Sequence, residues 1–394
     1  MIQDPLALVA VIAAATGSAF WLHGRFRWAS RMSATLLVII LGALLSNLGL
    51  VAAESPVYEM ISGPLVSLAI VWLLLAVDLR AVRRAGPRML GAFALAVGAT
   101  ISGALTASAI FGGALPGTVA RLAGVMTGTY SGGGLNFVAV GRAVKLPTDL
   151  FAAATAADNV VTAIWIAMSL LLPVWLGRFY ARVPPRGSAV GQTPSYDDPP
   201  EEGRPEAAAG EALTISFFAP VTIRPLDLAL LTALAALLVV VSGWLAATTP
   251  QIPAVLWLTT LAVICAQLPR VRDLKGSMLL GGVALHLFFA VLGIASRLAE
   301  VLRVGPEIFL FTVTVVAVHG LLLYLAAWLL RFDVETTTVA SQAAVGGPST
   351  ALAIALARKR YELALPGVVM GLLGYAVGNY AGVGVARLVA AWLG

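Results

Sequence analysis

Ser131-Gly-Gly-Gly-Leu-Asn136 and Val345-Gly-Gly-Pro-Ser-Thr350 each interrupt a segment otherwise apolar enough to lie inside a membrane. Three consecutive glycines, or two followed by proline, leave backbone N–H and C=O groups without helical partners. In hydrocarbon such groups are costly, so broken backbone persists only where it is buried in protein or lines a watery cavity. The surroundings of the two breaks also match. Leu146-Pro147 follows the first, and a long apolar segment then carries Asp158-Asn159. Leu365-Pro366 follows the second, and a long segment then carries Gly378-Asn379-Tyr380. Aligning the Leu-Pro pairs brings Asn379 within one position of Asn159. The reading is a duplicated unit, with chance similarity between Gly/Ala-rich helices as the alternative.

Composition sets the class. Hydrophobic residues make up 60% of the chain and charged residues 11%, with a mean hydropathy of +0.94; a soluble domain carries about 25% charged residues. Runs at 36–51, 65–77, 228–245 and 309–330 cross or nearly cross a hydrocarbon core, which takes about 20 residues of helix. The predicted fold class is an all-α polytopic membrane protein. Its net charge of +6 comes from arginines in short loops such as 23–31, 80–88 and 270–275. That is the positive-inside pattern of a membrane protein, so nucleic acid is not the expected partner. Cys265 is the only cysteine, which excludes an internal disulfide and a cysteine-based metal cage. The first residues, 1–5, lack the basic region of a cleavable signal, so the first apolar stretch is read as a retained helix.

Twelve apolar segments can be drawn, at roughly 5–22, 33–52, 60–78, 89–113, 119–145, 149–177, 228–246, 253–268, 278–296, 307–330, 337–357 and 364–392. Between the sixth and seventh lies a polar, proline-rich stretch with Asp-Asp-Pro-Pro-Glu-Glu-Gly, too polar to bury a core. The predicted organisation is an N-terminal repeat at 1–180, a disordered linker at 181–222 and a C-terminal repeat at 223–394. If all twelve segments crossed, the basic loops could not share a side. If segments five and eleven are re-entrant, loops 23–31, 80–88, 178–186, 270–275 and 358–360 all fall inside, with Arg142 and Lys145 as exceptions. Each half then has five crossings, and an odd number makes the repeats inverted, a recurring design of secondary transporters.

Half-helices beside a break direct their positive N-termini or negative C-termini at the cavity between them, which suits anions or cations respectively. Pro348 suits a first helical turn, and Gly134 starts the equivalent element. The predicted substrate-binding residues are therefore Ser131, Gly132, Gly133, Asn136, Gly346, Gly347, Ser349 and Thr350. The plainer reading is that the glycines only permit close helix packing. Asp158 is the sharpest single residue, because an ionised carboxylate deep in a membrane segment costs on the order of 3 kcal/mol. Thr155 and Asn159 could add the neutral oxygens a dehydrated Na⁺ needs. With Asn379 at the matched position, Asp158, Asn159, Thr155 and Asn379 form the predicted ion-coupling set, for Na⁺ or H⁺. The alternative is a protonated Asp158 bonding to another helix, or a salt bridge. His286 and His319 are read as hydrogen-bonding packing residues, and Asp333 and Glu335 as solvated loop charges.

No motif argues for an enzyme, a resident metal or another cofactor. There is no phosphate loop, so the chain encodes no ATP-driven pump, and the histidines are too few for a His-Glu-x-x-His site. The two breaks, Asp158-Asn159 and the stretch Leu-Pro-Gly-Val-Val-Met-Gly-Leu-Leu-Gly-Tyr-Ala-Val-Gly ending at Asn379 resemble the YjcL-like family of membrane proteins, domain of unknown function 819. Val345-Gly-Gly-Pro-Ser-Thr350 is the most specific part of the likeness. That family looks related to sodium/glutamate symporters, bile-acid symporters and sodium/proton antiporters. The resemblance implies inverted repeats, a core carrying the broken helices, a scaffold, elevator-type alternating access and a homodimer. The expected function is a secondary active transporter of a small anionic organic solute, multi-pass in the cell inner (plasma) membrane with its linker cytoplasmic. The alternatives are a monovalent cation/proton antiporter, whose two broken elements would cross each other near Asp158, and a non-transporting regulator or channel.

Overall fold

The computed structural model of the chain describes residues 2–26, 29, 34–52, 54–180, 222–295 and 298–393, and of 298–304 the backbone only. The predicted linker falls almost wholly outside the described residues. Among the described residues every regular element is a helix, and the one strand-like pairing is an isolated bridge between Ile2 and Val51.

The first half runs α1 (Pro5–Arg25), α2 (Ala34–Asn47), α3 (Pro56–Leu74), a short α4 (Leu79–Arg84) and α5 (Pro87–Phe111). Then α6 (Val119–Thr129) and α7 (Gly134–Ala143) flank the first break, and α8 (Thr148–Leu176) closes the half. The second half runs α9 (Pro225–Thr248), α10 (Ala254–Ala266), a short α11 (Pro269–Arg272), α12 (Ser277–Ala295) and α13 (Leu298–Leu329). There α14 (Val334–Val345) and α15 (Pro348–Ala357) flank the break, and α16 (Ala364–Leu393) follows. Proline opens α1, α3, α5, α9 and α15, where its missing N–H is not needed and its fixed φ suits the first turn.

Eight of the described helices are long and apolar enough to span a membrane, while α2 and α10 are apolar but shorter. The protein is an all-α polytopic membrane protein. Apart from α4 and α11, the order of elements is the same in both halves, and so is the packing. Helix α5 meets α13, and α3 meets α12. The contact of α2 with α12 mirrors that of α10 with α3. The contact of α8 with α13 mirrors that of α16 with α5, and α6 on α16 mirrors α14 on α8. Exchanging the halves therefore maps one set of contacts onto the other. The broken pairs, α5, α8, α13 and α16 form one body; α1, α2, α3, α9, α10 and α12 form the other.

Both broken pairs fold back on themselves. At the open end of the first, the Arg121 guanidinium donates to the Lys145 carbonyl at 3.2 Å, and within it Gly128 faces Val140. At the open end of the second, Arg358 pairs with Glu335 at 2.6 Å. These are re-entrant hairpins, and their tips meet: a Cβ placed on Gly133 would lie 3.3 Å from the Gly347 Cα. Gly133 and Gly347 take the same positive φ, 93° and 83°, in a region where essentially only glycine is unstrained. At the same interval beyond each, Lys145 and Lys359 take φ values of 52° and 56°. Counting the shorter α2 and α10 with the eight long helices, five remain in each half, an odd number, so the two repeats run inverted.

Contacts between loops sort into two ends. At one, Gln267 bonds to the backbone of Val77 and Leu79, Arg272 faces Asp78, and Trp328 donates to the Phe179 carbonyl. At the other, Ile2 bonds to Leu50, and Arg387 to the Gln251 carbonyl. The basic stretches 80–88, 270–275 and 358–360 belong to the first end, as the charge argument expects. Arg142 lies toward the opposite end because α3 uses it: the guanidinium donates to Gly63 O at 3.0 Å and Ser67 Oγ at 3.2 Å, where a π-helical turn, Ile61–Leu65, holds Pro64. Glu335 is a correction. It is not a solvated loop charge but the mostly buried partner of Arg358, while Asp333 caps α14 by accepting from Thr336 N at 2.8 Å.

Candidate functional site

Neither half-helix that starts at a hairpin tip has a side-chain cap. The starts of α7 and α15 thus keep a positive dipole end at the tips, although Pro348 brings no N–H and Asn136 N bonds to the Gly133 carbonyl at 3.0 Å. Beside the tips lies a cavity of about 840 Å³. Gly134 and Leu135 of hairpin 1 line it, as do Val345, Gly346, Ser349 and Thr350 of hairpin 2. Helix α8 adds Thr155, Asp158, Asn159 and Thr162, and Tyr375 of α16 completes the core wall. The facing wall belongs to the other body: His23 of α1, Thr35 of α2, and Met278, Gly282, Leu285, His286 and Phe289 of α12. Asp158 is the single carboxylate among the lining residues, and no lysine or arginine is among them.

Around Asp158 the polar groups are local. Thr162 Oγ1 donates to Asp158 Oδ1 at 3.2 Å, one helical turn on. Asn159 Nδ2 donates to the Thr155 carbonyl at 2.8 Å, and Thr155 Oγ1 to the Phe151 carbonyl at 2.7 Å. The Tyr130 hydroxyl, enclosed at the tip of hairpin 1, is turned toward the Asp158 carboxyl without a well-formed hydrogen bond to it. Across the cavity, His286 Nδ1 donates to the Gly282 carbonyl at 2.8 Å, and its ring lies 4.6 Å from that of Phe20. His286 thus packs against its own helix and also lines the cavity.

Of the predicted substrate-binding residues, Gly346, Ser349 and Thr350 line the cavity, whereas Ser131, Gly132, Gly133, Asn136 and Gly347 do not. Hairpin 1 presses its tip against α16 instead. Gly132 abuts the backbone of Gly374, and Asn136 Nδ2 donates to Gly374 O at 2.8 Å. Of the predicted ion-coupling residues, Asp158, Asn159 and Thr155 share the cavity. Asn379 does not join them; its Nδ2 donates to Thr259 Oγ1 of α10 at 2.9 Å. The oxygens Ser131 Oγ, Asn136 Oδ1 and Asn379 Oδ1 are fully buried and lack a hydrogen-bond partner, an unusual condition in a native protein.

A second cavity of about 350 Å³ opens toward the other end, between hairpin 1, α3 and α12. It holds Glu54, Glu59, Arg142 and Lys145. A run of phenylalanines separates the two spaces. Phe137 and Phe151 lie 4.9 Å apart by ring centroid, Phe151 and Phe288 5.7 Å, and Phe288 and Phe289 5.5 Å. Phe137 and Phe289 face the larger cavity, Phe151 and Phe288 the smaller. Phe151 sits directly on Gly141 of α7, where a Cβ would collide with its ring.

Sequence reasoning missed Tyr130, Thr162, the facing wall and the phenylalanine run. Tyr130 was within reach, since it adjoins the first break. Thr162 was within reach too, one turn beyond Asp158 on the same helix, whereas the facing wall and the phenylalanine run come from helices distant in sequence, and nothing local marks them.

The model of a family described as "Protein of unknown function (DUF819)" matches residues 10–392. The chain is also 31% identical over 380 residues to "Uncharacterized membrane protein YjcL" of Bacillus subtilis (strain 168), a match covering 92% of this chain and 91% of that protein. The chain belongs to the DUF819 family of membrane proteins.

Proposed function

We propose that the protein is a secondary active transporter of a small anionic organic solute, coupled to Na⁺ or H⁺, working by alternating access around the two hairpins. One observation carries this reading: two uncapped helix N-termini and a lone carboxylate share a cavity that lies between two bodies of helices. Helix N-termini attract an anion. Asp158 would repel that anion unless a cation neutralised it, so the two charges favour binding together. Asp158, with Thr162, Asn159 and Thr155 near it, would hold the cation. The orphaned oxygens of Ser131, Asn136 and Asn379 are neutral groups of the kind a dehydrated Na⁺ requires, and they support a second place for it in the core.

The cavity reaches the end where α1 finishes and α2 and α12 begin, beside the basic loops. By the positive-inside rule this is the cytoplasmic side of the inner membrane, so the conformation faces inward. The phenylalanine run closes the outward route. The antiporter alternative expects broken elements that cross near Asp158. Here they return as hairpins, which favours a solute held at the tips.

The test is uptake into vesicles reconstituted with the purified chain, using a panel of labelled organic anions under imposed Na⁺ or H⁺ gradients. Gradient-dependent uptake of at least one anion, lost in Asp158→Asn, is the expected result. Cation/proton exchange without uptake of any anion would favour the antiporter. Conductance without coupling would sink both.

A further inference from the structure

His319 of α13 is fully buried at the centre of a hydrogen-bond chain that joins the two hairpins. Trp165 Nε1 of α8 donates to Ser341 Oγ of hairpin 2 at 3.0 Å. Ser341 Oγ lies 2.9 Å from His319 Nε2, and His319 Nδ1 lies 2.9 Å from Thr100 Oγ1 of α5. Thr100 Oγ1 then donates to the carbonyl of Tyr130, at the tip of hairpin 1, at 2.8 Å. Thr100, Tyr130 and Ser341 are as fully buried as His319.

With Thr100 donating to the Tyr130 carbonyl and Trp165 to Ser341, one arrangement of hydrogens satisfies every group in this chain. An indole N–H only donates and a carbonyl only accepts. Thr100 gives its single proton to Tyr130 O, so it must accept from His319, and Nδ1 carries a hydrogen. A neutral ring then accepts at Nε2, and the Ser341 hydroxyl supplies that proton while its oxygen accepts from Trp165. A second proton on the ring would aim another N–H at the oxygen Trp165 already uses, and would displace the seryl proton.

We propose that His319, held as the neutral Nδ1–H tautomer, is a positioning residue that couples helix α14 of hairpin 2 to the tip of hairpin 1. It thereby sets the Tyr130 hydroxyl against Asp158. The coupling of the hairpins stands apart from the transport reading; only its consequence for Asp158 rests on that reading.

Two measurements on the full chain in nanodiscs test this without any substrate. The chain has three histidines, so nitrogen-15 labelling of histidine in a His23→Gln/His286→Gln background isolates the His319 signal. The expected spectrum is that of a neutral ring protonated at Nδ1, unchanged across about pH 5 to 9, where an ordinary histidine titrates. An Nε2–H pattern, or titration within that range, overturns the assignment. The second measurement is hydrogen exchange in Ser341→Ala. This variant removes one link in hairpin 2, yet exchange at 130–133 in hairpin 1 should rise about tenfold, as loss of one buried hydrogen bond allows. Unchanged exchange at 130–133 overturns the coupling. Should Ser341→Ala fail to fold, Thr100→Val breaks the chain from the other side, and faster exchange must then appear in α14. Exchange there that stays at the wild-type rate overturns the coupling equally.

Discussion

Helix α8 and helix α16 hold matching places in the two repeats, yet one lines a cavity and the other is closed against its neighbour. On α8, Asp158 and Asn159 look across open space at Thr35 and His286. On α16, Asn379 donates to Thr259, and Tyr380 bonds with Thr260 of the same α10 helix. The residue beside Asn379 is Gly378, and the space a side chain would need is taken by Asn136 of hairpin 1. The difference teaches how a duplicated fold acquires a direction. Inverted halves in identical conformations would make both interfaces alike. Unequal side chains on the two long helices allow one interface to close while the other opens.

The hairpin tips offer the largest break in this comparison. A Cβ on Gly132 runs into the backbone of Gly374, whereas the atoms nearest a Cβ on Gly346 belong to the Thr350 side chain. Gly132→Ala is expected to destabilise the protein by about 3 kcal/mol and Gly346→Ala by about 1 kcal/mol, since only a side chain yields easily. Thermal unfolding in one detergent compares them; equal losses would mean the tips are equivalent after all. Next come the polar residues of the two long helices. Asp158→Asn should lower gradient-driven uptake roughly 100-fold, and Asn379→Ala roughly tenfold, the latter being the loss of one buried hydrogen bond. A reversed order would place the coupling chemistry on α16.

The open ends of the hairpins give a smaller contrast. Glu335→Ala removes the carboxylate that pairs with the mostly buried Arg358 and should cost about 2 kcal/mol. Arg121→Ala removes an exposed bond at the matching position of hairpin 1 and should cost about 0.5 kcal/mol or less. The last contrast, at the phenylalanine run, is read by labelling and not by stability, since Phe288 is buried in the core and its truncation should itself cost about 3 kcal/mol. In a Cys265→Ala/Ser349→Cys background, the new thiol should resist an impermeant reagent added from the Lys145 side, and Phe288→Ala should expose it. Equal labelling with and without Phe288 would show that the run is packing and not a seal.

Part of the site was legible in the chain because it is marked by composition alone. A run of glycines in an apolar segment, and an acid in another, are conspicuous wherever they occur. Loop charges went further and indicated the hairpins, since only re-entrant pairs put the basic loops on one side. Legibility ended where a residue's role depends on what faces it. The place of Ser131 and Asn136 at the break is legible, but that this part of hairpin 1 packs on Gly374 of α16, away from the larger cavity, is not. Arg142 looks like a misplaced topology signal, but the π turn of α3 occupies it. Glu335 looks like a loop charge until Arg358 is found beside it.

By itself, then, the sequence determined the membrane class, the two breaks, the inverted frame and the one carboxylate placed in an apolar segment. These follow from local properties: hydropathy over about 20 residues, the backbone freedom of glycine and the cost of a buried charge. Only the tertiary structure decided that Asp158 shares a cavity with two helix N-termini, that Asn379 does not, and that His319 ties the hairpins together. Each of those depends on contacts between side chains far apart in the chain, and hydrogen-bond direction exists only once donor and acceptor are brought within about 3 Å of each other.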